Sequence, residues 1–114
     1  MPDDCLFCRI VAGEIPADVV ARDDDFLAFR DIAPKAPVHL LVIPRRHVES
    51  LSGVHGLDDR ERAAMLPFIV GVAHDAGLEQ SGYRVTTNHG PDARQSVFHL
   101  HWHVMGGGLL SETM

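Results

Sequence analysis

Three histidines alternate with apolar residues near the carboxyl end of this chain, in the order His99-Leu100-His101-Trp102-His103. Successive side chains of a β-strand point to opposite faces, so the spacing predicts a strand that presents all three imidazoles on one face, about 6.6 Å apart. The opposite face is expected to pack in the core through Phe98, Leu100, Trp102 and Val104. Because imidazole titrates near neutral pH and also binds metals, the spacing alone leaves open a catalytic site, a metal site and a pH-sensitive or incidental cluster.

Length and charge restrict the class of protein. A chain of 114 residues, 46% of them apolar, can build one compact core, so we expect a single domain over residues 1–114. No apolar run approaches the roughly 18 residues that cross a bilayer, and the amino terminus is acidic where a signal peptide is basic. We therefore expect a cytoplasmic protein with no membrane partner.

The charge of the chain also bears on its ligands. A formal net charge of −6 argues against a nucleic-acid partner, since the phosphate backbone requires a basic face. A small anionic ligand would have to be held locally, by backbone N–H groups, by histidines or by arginines such as Arg45, Arg46 and Arg94.

Hydrophobic patterning predicts an antiparallel sheet. Residues 19–21 and 26–29 are expected to form two strands joined by the acidic turn at 22–25, a hairpin by its spacing. The nearly continuous apolar run at 38–43 is typical of a central strand covered on both faces. The pattern at residues 83–88 predicts a further strand, and a loop is expected to connect it to the histidine strand.

Two helices are predicted outside the strands. Residues 5–13 have helical apolar spacing, and residues 58–77 begin with an aspartate cap that a glutamate follows three residues later. Pro67 should bend the second helix or mark its late start. A flexible tail is expected from about residue 106. Strands in hairpins with segregated helices indicate an α+β domain.

Several segments beyond the histidine strand resemble one family across nearly the whole chain. They are HLHWHVM at 99–105, GEIPA at 13–17, AFRDIAP at 28–34, APVHLLVIP at 36–44 and QSV at 95–97. Together they resemble the histidine triad (HIT) superfamily, and within it the Hint-like branch of nucleotide-binding phosphoramidases. The resemblance implies a five-stranded antiparallel sheet with two helices on one side. It also implies a homodimer in which the two sheets become continuous and the longer helices pack together.

The resemblance implies a reaction as well. Proteins of this branch cleave a nucleoside monophosphate from a P–N or P–O–P linkage through a nucleotidyl-histidine, without a catalytic cofactor, and the middle histidine, here His101, is the nucleophile. A neutral imidazole is a competent nucleophile near pH 7 when its other nitrogen is held as an N–H donor. His103 is expected to bind a phosphate oxygen, and Ser96 to donate to the scissile bridging atom or a phosphate oxygen. His39 would tune or orient the triad, and the alternative for it is a satisfied core histidine.

Other positions that match the family pattern would bind the nucleotide. Asp31 resembles the acid that accepts hydrogen bonds from the ribose hydroxyls, a role that suits a carboxylate. Val97 would offer its backbone N–H to the phosphate, and Asn88 and Gln95 fall on further nucleotide contacts. The base would lie between residues that patterning alone would assign to the core, namely Leu6, Phe7, Ile10, Phe29 and Ile32.

The two cysteines form a Cys5-x-x-Cys8 pair, which is too closely spaced for a useful structural disulfide. In HIT proteins that have this amino-terminal pair, it resembles a zinc clamp completed by the histidine after the Pro-Arg-Arg segment, here His47, and by the first triad histidine, His99. Four such ligands suit a structural tetrahedral zinc ion with no open position. Two spare reduced thiols remain the alternative, and a redox pair is disfavoured because no strand precedes it.

Two departures from the Hint-like pattern bear on specificity. Ala93 and Arg94 stand where paired glycines are favoured, so a side chain there would crowd or grip the phosphates. The carboxyl tail also lacks the aromatic ending that covers the pocket in the proteins it resembles.

The leading hypothesis is therefore a homodimeric nucleoside phosphoramidate hydrolase that prefers adenosine and releases AMP. The alternatives are a dinucleoside polyphosphate hydrolase of the same superfamily and a zinc-stabilised nucleotide-binding or protein-interaction module with little turnover.

Overall fold

Five antiparallel strands form one sheet in the computed structural model, which describes residues 4–112. In chain order the strands are β1 (Val19–Arg22), β2 (Phe26–Arg30), β3 (Val38–Pro44), β4 (Tyr83–Thr86) and β5 (Trp102–Gly106). Their order across the sheet is β1-β2-β3-β5-β4, and every neighbouring pair is antiparallel. The predicted α+β class with a five-stranded antiparallel sheet is confirmed, and the apolar strand β3 is central as expected.

A short acidic turn makes the first hairpin. Oδ1 of Asp23 accepts hydrogen bonds from the backbone N–H groups of Asp25 and Phe26, each at 2.8 Å. Aspartate commonly bonds the backbone two or three residues further on in this way, which stabilises a reversal of the chain. β2 begins directly after this turn, and all five of its residues pair with β3.

The first helix, α1 (Leu6–Val11), has a cysteine as its amino-terminal cap. The Sγ atom of Cys5 accepts from the backbone N–H of Cys8 at 3.3 Å. The helix is followed by Gly13 with φ of 77°, a left-handed conformation that glycine adopts without steric cost. A 3₁₀ helix at Leu51–Gly56 was not predicted, because such short segments have no extended hydrophobic period to reveal them.

The second helix, α2 (Asp59–Asp75), begins with the predicted capping box. Oδ1 of Asp58 accepts from the Glu61 N–H at 2.7 Å, and Oε1 of Glu61 accepts from the Asp58 N–H at 2.8 Å. These two bonds satisfy backbone donors that the first helical turn leaves without partners. The helix continues through Pro67, so the proline does not mark a late start.

The two α-helices cover opposite faces of the sheet. On one face, α2 buries Ile69, Val72 and Ala73 against strand residues Ala28, Leu40, Val42 and Val104. On the other face, α1 buries Phe7 and Cys8 against Leu27, Phe29, Leu41 and Ile43. The implied placement of both helices on one side is therefore wrong. Because side chains alternate along β3, its odd-numbered residues face α1 and its even-numbered residues face α2.

The segment that carries the three histidines is only partly a strand. β5 begins at Trp102, so His99 and His101 lie in the irregular chain before it and only His103 is in the strand. Leu100 is buried, but Phe98 is 56% exposed and does not belong to the apolar back. An irregular approach to a strand does not maintain strict alternation, which explains the exposure of Phe98.

Gly106 and Ser111, near the end of the described residues, are tied to the sheet. Gly106, where the flexible tail was expected to begin, is the last residue of β5 and pairs with both neighbouring strands. Beyond it, Nη2 of Arg84 donates to the carbonyl oxygen of Ser111 at 2.9 Å. Residues 113–114 of the expected tail and residues 1–3 of the acidic amino terminus lie outside the described residues. Within residues 4–112, neither the length nor the apolar content of any helix suffices for a membrane span.

Candidate active site and metal centre

The central strands place two histidines in direct contact on the α1 face. His39 of β3 pairs with Met105 of β5, and Leu41 pairs with His103, so the two imidazoles project from neighbouring strands towards one another. Nε2 of His39 lies 2.9 Å from Nδ1 of His103, which is a hydrogen-bond distance. Both belong to the predicted set of site residues.

A chain of hydrogen bonds assigns the tautomers of these two rings. The backbone N–H of Lys35 donates to Nδ1 of His39 at 3.0 Å, which leaves the proton of neutral His39 on Nε2. That Nε2–H donates to Nδ1 of His103, and Oδ2 of Asp31 lies 3.4 Å from the same His39 nitrogen. Because His103 accepts at Nδ1, its own proton lies on Nε2. His103 therefore presents an N–H donor.

His101 has the opposite tautomer. Its Nδ1 lies 2.7 Å from the backbone carbonyl oxygen of His99 and donates to it, since a carbonyl oxygen can only accept. Nε2 of neutral His101 consequently carries a lone pair. The ring of His101 is buried, and its centroid is 5.2 Å from that of His103. A nucleophilic nitrogen on His101 and a hydrogen-bond donor on His103 thus belong to adjacent rings.

Burial keeps these imidazoles neutral. It is the main cause of the lowered pKa of His39 and of His101, and the nearby carboxylate of Asp31 opposes it only in part. The pKa of His103 falls to about 4, because the neighbouring His101 and His39 add to the effect of burial. All three rings are therefore neutral near pH 7, the state in which imidazole acts as a nucleophile.

The carboxylate of Asp31 is held at the edge of this group. Its Oδ1 accepts from the backbone N–H of Ala33 at 2.8 Å, while Oδ2 faces His39. An ionised carboxylate has about four lone-pair sites, so these contacts leave capacity for further donors. Asp31 is thus fixed in orientation and able to accept from a ligand hydroxyl.

An apolar wall on the α1 side borders the histidines. Phe7 is 5% exposed, and its ring packs edge-on against Phe29 with centroids 5.5 Å apart. The other residues of the predicted base site differ in exposure: Ile10 is half-buried, whereas Leu6 and Ile32 are exposed. The buried pair forms the wall itself, and the exposed pair offers apolar surface to a ligand.

The loop before the histidines is held by the side chain of Gln95. Its Nε2 donates to the carbonyl oxygens of Glu49 at 2.8 Å and Val97 at 3.1 Å, and its Oε1 accepts from the Gly90 N–H at 2.9 Å. Both ends of the amide are therefore used within the protein, and Gln95 determines the shape of the loop. A contact between this side chain and a nucleotide stays a prediction.

The remaining predicted residues of this loop lie on either side of Gln95. Asn88 is half-buried, Ser96 is exposed, and Val97 packs against the cluster that contains Phe7. Arg94 has φ of 61° and is the one non-glycine residue of the described chain with a positive φ. The left-handed region favours glycine, so the departure from paired glycines falls at a strained position.

A second cluster joins the amino terminus to the first histidine. Its members are Cys5, Cys8, His47 and His99, whose ligand-type atoms all lie within 4.8 Å of one another. Nδ1 of His99 is 3.4 Å from Sγ of Cys5 and 3.5 Å from Sγ of Cys8. Nδ1 of His47 is 3.2 Å from Sγ of Cys8 and 3.3 Å from Nδ1 of His99.

These separations fit the edges of a zinc tetrahedron. Bonds of about 2.3 Å to sulfur and about 2.0–2.1 Å to nitrogen place neighbouring ligand atoms about 3.6 Å apart for N and S, and about 3.3 Å apart for two N atoms. Nε2 of His99 also donates to the carbonyl oxygen of Pro44 at 2.8 Å, which leaves the lone pair on Nδ1 facing the cluster. The four residues therefore suit a structural zinc ion.

The protonation of the cluster is what metal binding would change. Burial, together with the neighbouring Cys5, raises the pKa of Cys8 to about 12, so the thiol is protonated when no cation is near. Burial lowers the pKa of His99 to about 4, which keeps this imidazole in its neutral, ligating form. Zinc binding requires thiolates, so loading of the cluster would release thiol protons.

A third group, Asp31, His39 and His103, also contains metal-ligand types in close proximity. Here the two imidazole nitrogens are 2.9 Å apart, shorter than the edge of about 3.3 Å expected for two nitrogens on one zinc ion. The hydrogen bond from His39 to His103 explains this contact. The group belongs to the histidine network rather than to a metal centre.

Three contributors to the site carry no signal in the sequence. The Lys35 N–H and the Pro44 carbonyl orient His39 and His99 through the backbone, which every residue possesses. The hydroxyl of Thr87 donates to the carbonyl oxygen of His101 at 2.7 Å and ties the end of β4 to the histidine segment. Only the register of the sheet and the path of the loops bring these groups to the histidines.

Comparisons with known proteins match the chain over most of its length. The HIT domain matches residues 12–108. An uncharacterized HIT-like protein of Chlamydia trachomatis serovar D is 45% identical over 105 residues, which are 92% of this chain and 94% of that protein. The crystal structure of a HIT family hydrolase from Legionella pneumophila Philadelphia 1 has a TM-score of 0.90 and 42% identity, with 96% of this chain and 98% of that chain covered. A histidine triad nucleotide-binding protein from Candida albicans is 29% identical with a TM-score of 0.81, over 97% of this chain and 86% of that one.

Proposed function

The chain belongs to the HIT family, and on that premise we propose that it hydrolyses adenosine 5′-phosphoramidates through a nucleotidyl-histidine on His101. The observation that carries this proposal is the tautomer of His101: Nδ1 donates to the His99 carbonyl at 2.7 Å, so the lone pair is on Nε2. The fold is that of HIT family hydrolases, which supports hydrolysis at the level of the family. The substrate is our inference.

In the first step, the Nε2 lone pair of His101 attacks the phosphorus atom and the P–N bond breaks. The leaving nitrogen takes up a proton, which the exposed hydroxyl of Ser96 can relay from solvent. The nucleotide is then bonded to Nε2 of His101, while the Nδ1 proton stays on the ring and is stabilised by the His99 carbonyl.

In the second step, water attacks the same phosphorus atom and the P–Nε2 bond breaks, so that its electron pair returns to Nε2 and one proton of the water passes to solvent. The products are AMP and the regenerated neutral His101, so the net reaction consumes one water and releases one amine. The Nε2–H of His103 would donate to a phosphate oxygen in both steps, and His39 keeps that proton in place by donating to Nδ1 of His103 at 2.9 Å.

The nucleotide would bind along the α1 face. The carboxylate of Asp31 has unused lone pairs for the ribose hydroxyls, and Val97 would offer its backbone N–H to the phosphate. The base would rest on the exposed side chains of Leu6 and Ile32 and on half-buried Ile10, with Phe7 and Phe29 as a buried floor beneath them. Asn88 and Gln95 would border the phosphate end.

Zinc would bind to Cys5, Cys8, His47 and His99 as a structural ion. The separations among these residues support this assignment. An ion with four protein ligands has no open position, so its contribution would be to hold the first helix and the histidine segment together. We further propose a homodimer, as the family resemblance implies.

One observation favours a second candidate function, hydrolysis of dinucleoside polyphosphates. Arg94 follows Ala93 in the loop that leads to Ser96, and its side chain is an exposed cation. Its backbone has a positive φ, a conformation that favours glycine. Arginine suits phosphate oxygens well, because its guanidinium offers several donors in a planar fork. A substrate with a longer phosphate chain would bind more tightly through this contact.

The test is AMP release from an adenosine phosphoramidate by the purified protein and by its His101→Ala variant. We expect turnover to fall by at least about a thousandfold in the variant while AMP still binds. His55→Ala is the matched control, since His55 is an exposed imidazole on the 3₁₀ helix at Leu51–Gly56, outside both the proposed site and α2. Turnover that is equal in the His101→Ala variant would exclude His101 as the nucleophile. Nucleotide binding without turnover on P–N or P–O–P substrates would favour a binding module.

A further inference from the structure

Phe7 lies between the two cysteines in sequence and against the histidines in space. Its ring packs edge-on against His101 with centroids 5.1 Å apart and an interplanar angle of 86°. The centroid of the same ring lies 6.0 Å from that of His99 and 5.5 Å from that of Phe29. An aromatic ring packed against three others can move little, and it limits the rotation of each neighbour.

The helix that carries Phe7 is short and needs an anchor. α1 has six residues, and a helix of this length is unstable in water without tertiary contacts. It is anchored by the apolar packing of Phe7 and Cys8 on the sheet and, at its amino-terminal end, by the cluster, where the Sγ atoms of Cys5 and Cys8 lie 3.4 Å and 3.5 Å from Nδ1 of His99. The position of Phe7 therefore depends in part on the two cysteines between which it lies in the sequence.

His99 gives the cluster a second connection to the same ring. Its side chain faces the cysteines, while its backbone carbonyl accepts the hydrogen bond from Nδ1 of His101. His101 is thus held both by the backbone of a cluster residue and by the Phe7 ring, which the cluster helps to position.

We propose that Phe7 is a positioning residue for His101, and that occupation of the cysteine–histidine cluster by zinc acts on His101 through Phe7. A filled cluster holds α1 against the sheet, and the Phe7 ring then blocks rotation of the His101 imidazole away from its bond to the His99 carbonyl. The catalytic role of His101 rests on the function proposed above, whereas the effect of Phe7 on the ring does not.

The experiment follows the ring of His101 directly. Protein labelled with ¹⁵N at histidine is studied by NMR without substrate, with zinc and after chelation, for wild type, Phe7→Leu and Phe7→Met. We expect one sharp Nδ1–H tautomer of His101 in zinc-loaded wild type. Exchange broadening of this resonance is expected after chelation of wild type and in both variants. Chelation should add little broadening in the variants, since they have already lost the Phe7 ring that connects the cluster to His101.

Kinetics supply the second readout. We expect kcat on the adenosine phosphoramidate to fall about tenfold in Phe7→Leu and KM to rise by a smaller factor, because displacement of the reacting group slows chemistry, whereas Phe7 forms only the buried floor of the base site. Phe68→Leu is the matched control: Phe68 packs against Phe26 at 5.3 Å between centroids on the α2 side. The Phe68→Leu variant should be less stable than wild type, with unchanged His101 resonances.

Two results would overturn the proposal. One is an unchanged His101 tautomer and line width in both Phe7 variants, even where their thermal stability is reduced. The other is broadening upon chelation that is as large in the variants as in wild type, which would assign the connection to the His99 backbone alone. Failure of the proposed reaction is distinguishable, because it would abolish turnover on every substrate without affecting the NMR result.

Discussion

The Nε2–H of His39 donates to Nδ1 of His103 across 2.9 Å, and the backbone N–H of Lys35 occupies the other nitrogen of His39. Two side chains from different strands therefore share one defined arrangement of protons. A histidine that both accepts and donates within the protein is fully satisfied, yet this one also determines where its neighbour carries a proton. The structure is therefore compatible with both interpretations of His39, as a satisfied core histidine and as a residue that orients His103.

Replacement of His39 separates these two interpretations. In His39→Leu, Nδ1 of His103 loses its donor and the Nε2–H tautomer is no longer enforced, so we expect kcat to fall about tenfold to a hundredfold. His39→Gln retains an N–H donor at similar reach and should lose less. The measurement is kcat on the adenosine phosphoramidate. Equal loss of stability in both variants with wild-type kcat would mean that His39 is only a core residue.

The pH dependence of stability should report the buried His103. Its pKa is lowered from 6.5 to about 4, so the unfolded chain binds a proton in this range that the folded chain excludes. Its contribution to the free energy of unfolding is therefore fully present above pH 6.5 and decreases as the pH falls towards 4. Urea unfolding at several pH values measures this slope. His103→Gln, which does not titrate, should have a shallower slope in the same window, and identical slopes would contradict the pKa shift.

Zinc content and stability should change together. Protein purified without added zinc is expected to contain about one ion per chain, and the ion should be lost in Cys5→Ser. Because a structural zinc contributes directly to folding, we expect the variant or the chelated protein to melt about 10 °C lower or more. Metal analysis and thermal unfolding check both points. Zinc added back should restore the melting temperature of chelated wild type but not of Cys5→Ser; far less than one ion per chain with unchanged melting would leave the two cysteines as spare thiols.

Arg94→Gly tests the strained loop. A left-handed non-glycine residue costs about 1–2 kcal/mol, and the greater freedom of unfolded glycine offsets part of the gain, so we expect stabilisation of up to about 1 kcal/mol. The loss of the guanidinium should reduce kcat/KM for diadenosine polyphosphates more than for adenosine phosphoramidates. Arg94→Lys, which keeps the charge and the strain, serves as the comparison. An unchanged substrate ratio in both variants would show that Arg94 makes no contact with the phosphates.

Much of the fold could be predicted because its signals are local. The capping box of α2 depends on Asp58 and Glu61, three residues apart, and the acidic turn at Asp23 bonds its own neighbouring N–H groups. The continuous apolar run of β3 indicated burial on both faces, as the structure has it. The 3₁₀ helix and the opposite placement of the helices were missed, since neither produces a periodic pattern in a single segment.

The candidate site divides in the same way. The sequence by itself determined that three imidazoles lie close together and that two thiols precede them, because spacing and side-chain chemistry are written in the chain. Only the tertiary structure decided that Nδ1 of His99 faces the cysteines 91 and 94 residues away, that Nδ1 of His101 faces the His99 carbonyl, and that Nδ1 of His103 faces His39. The physical reason is that identical residues acquire different roles from their hydrogen-bond partners. Those partners, the Pro44 and His99 carbonyls and the His39 ring, are brought to them by strand register and by an irregular approach to β5 that no local pattern specifies.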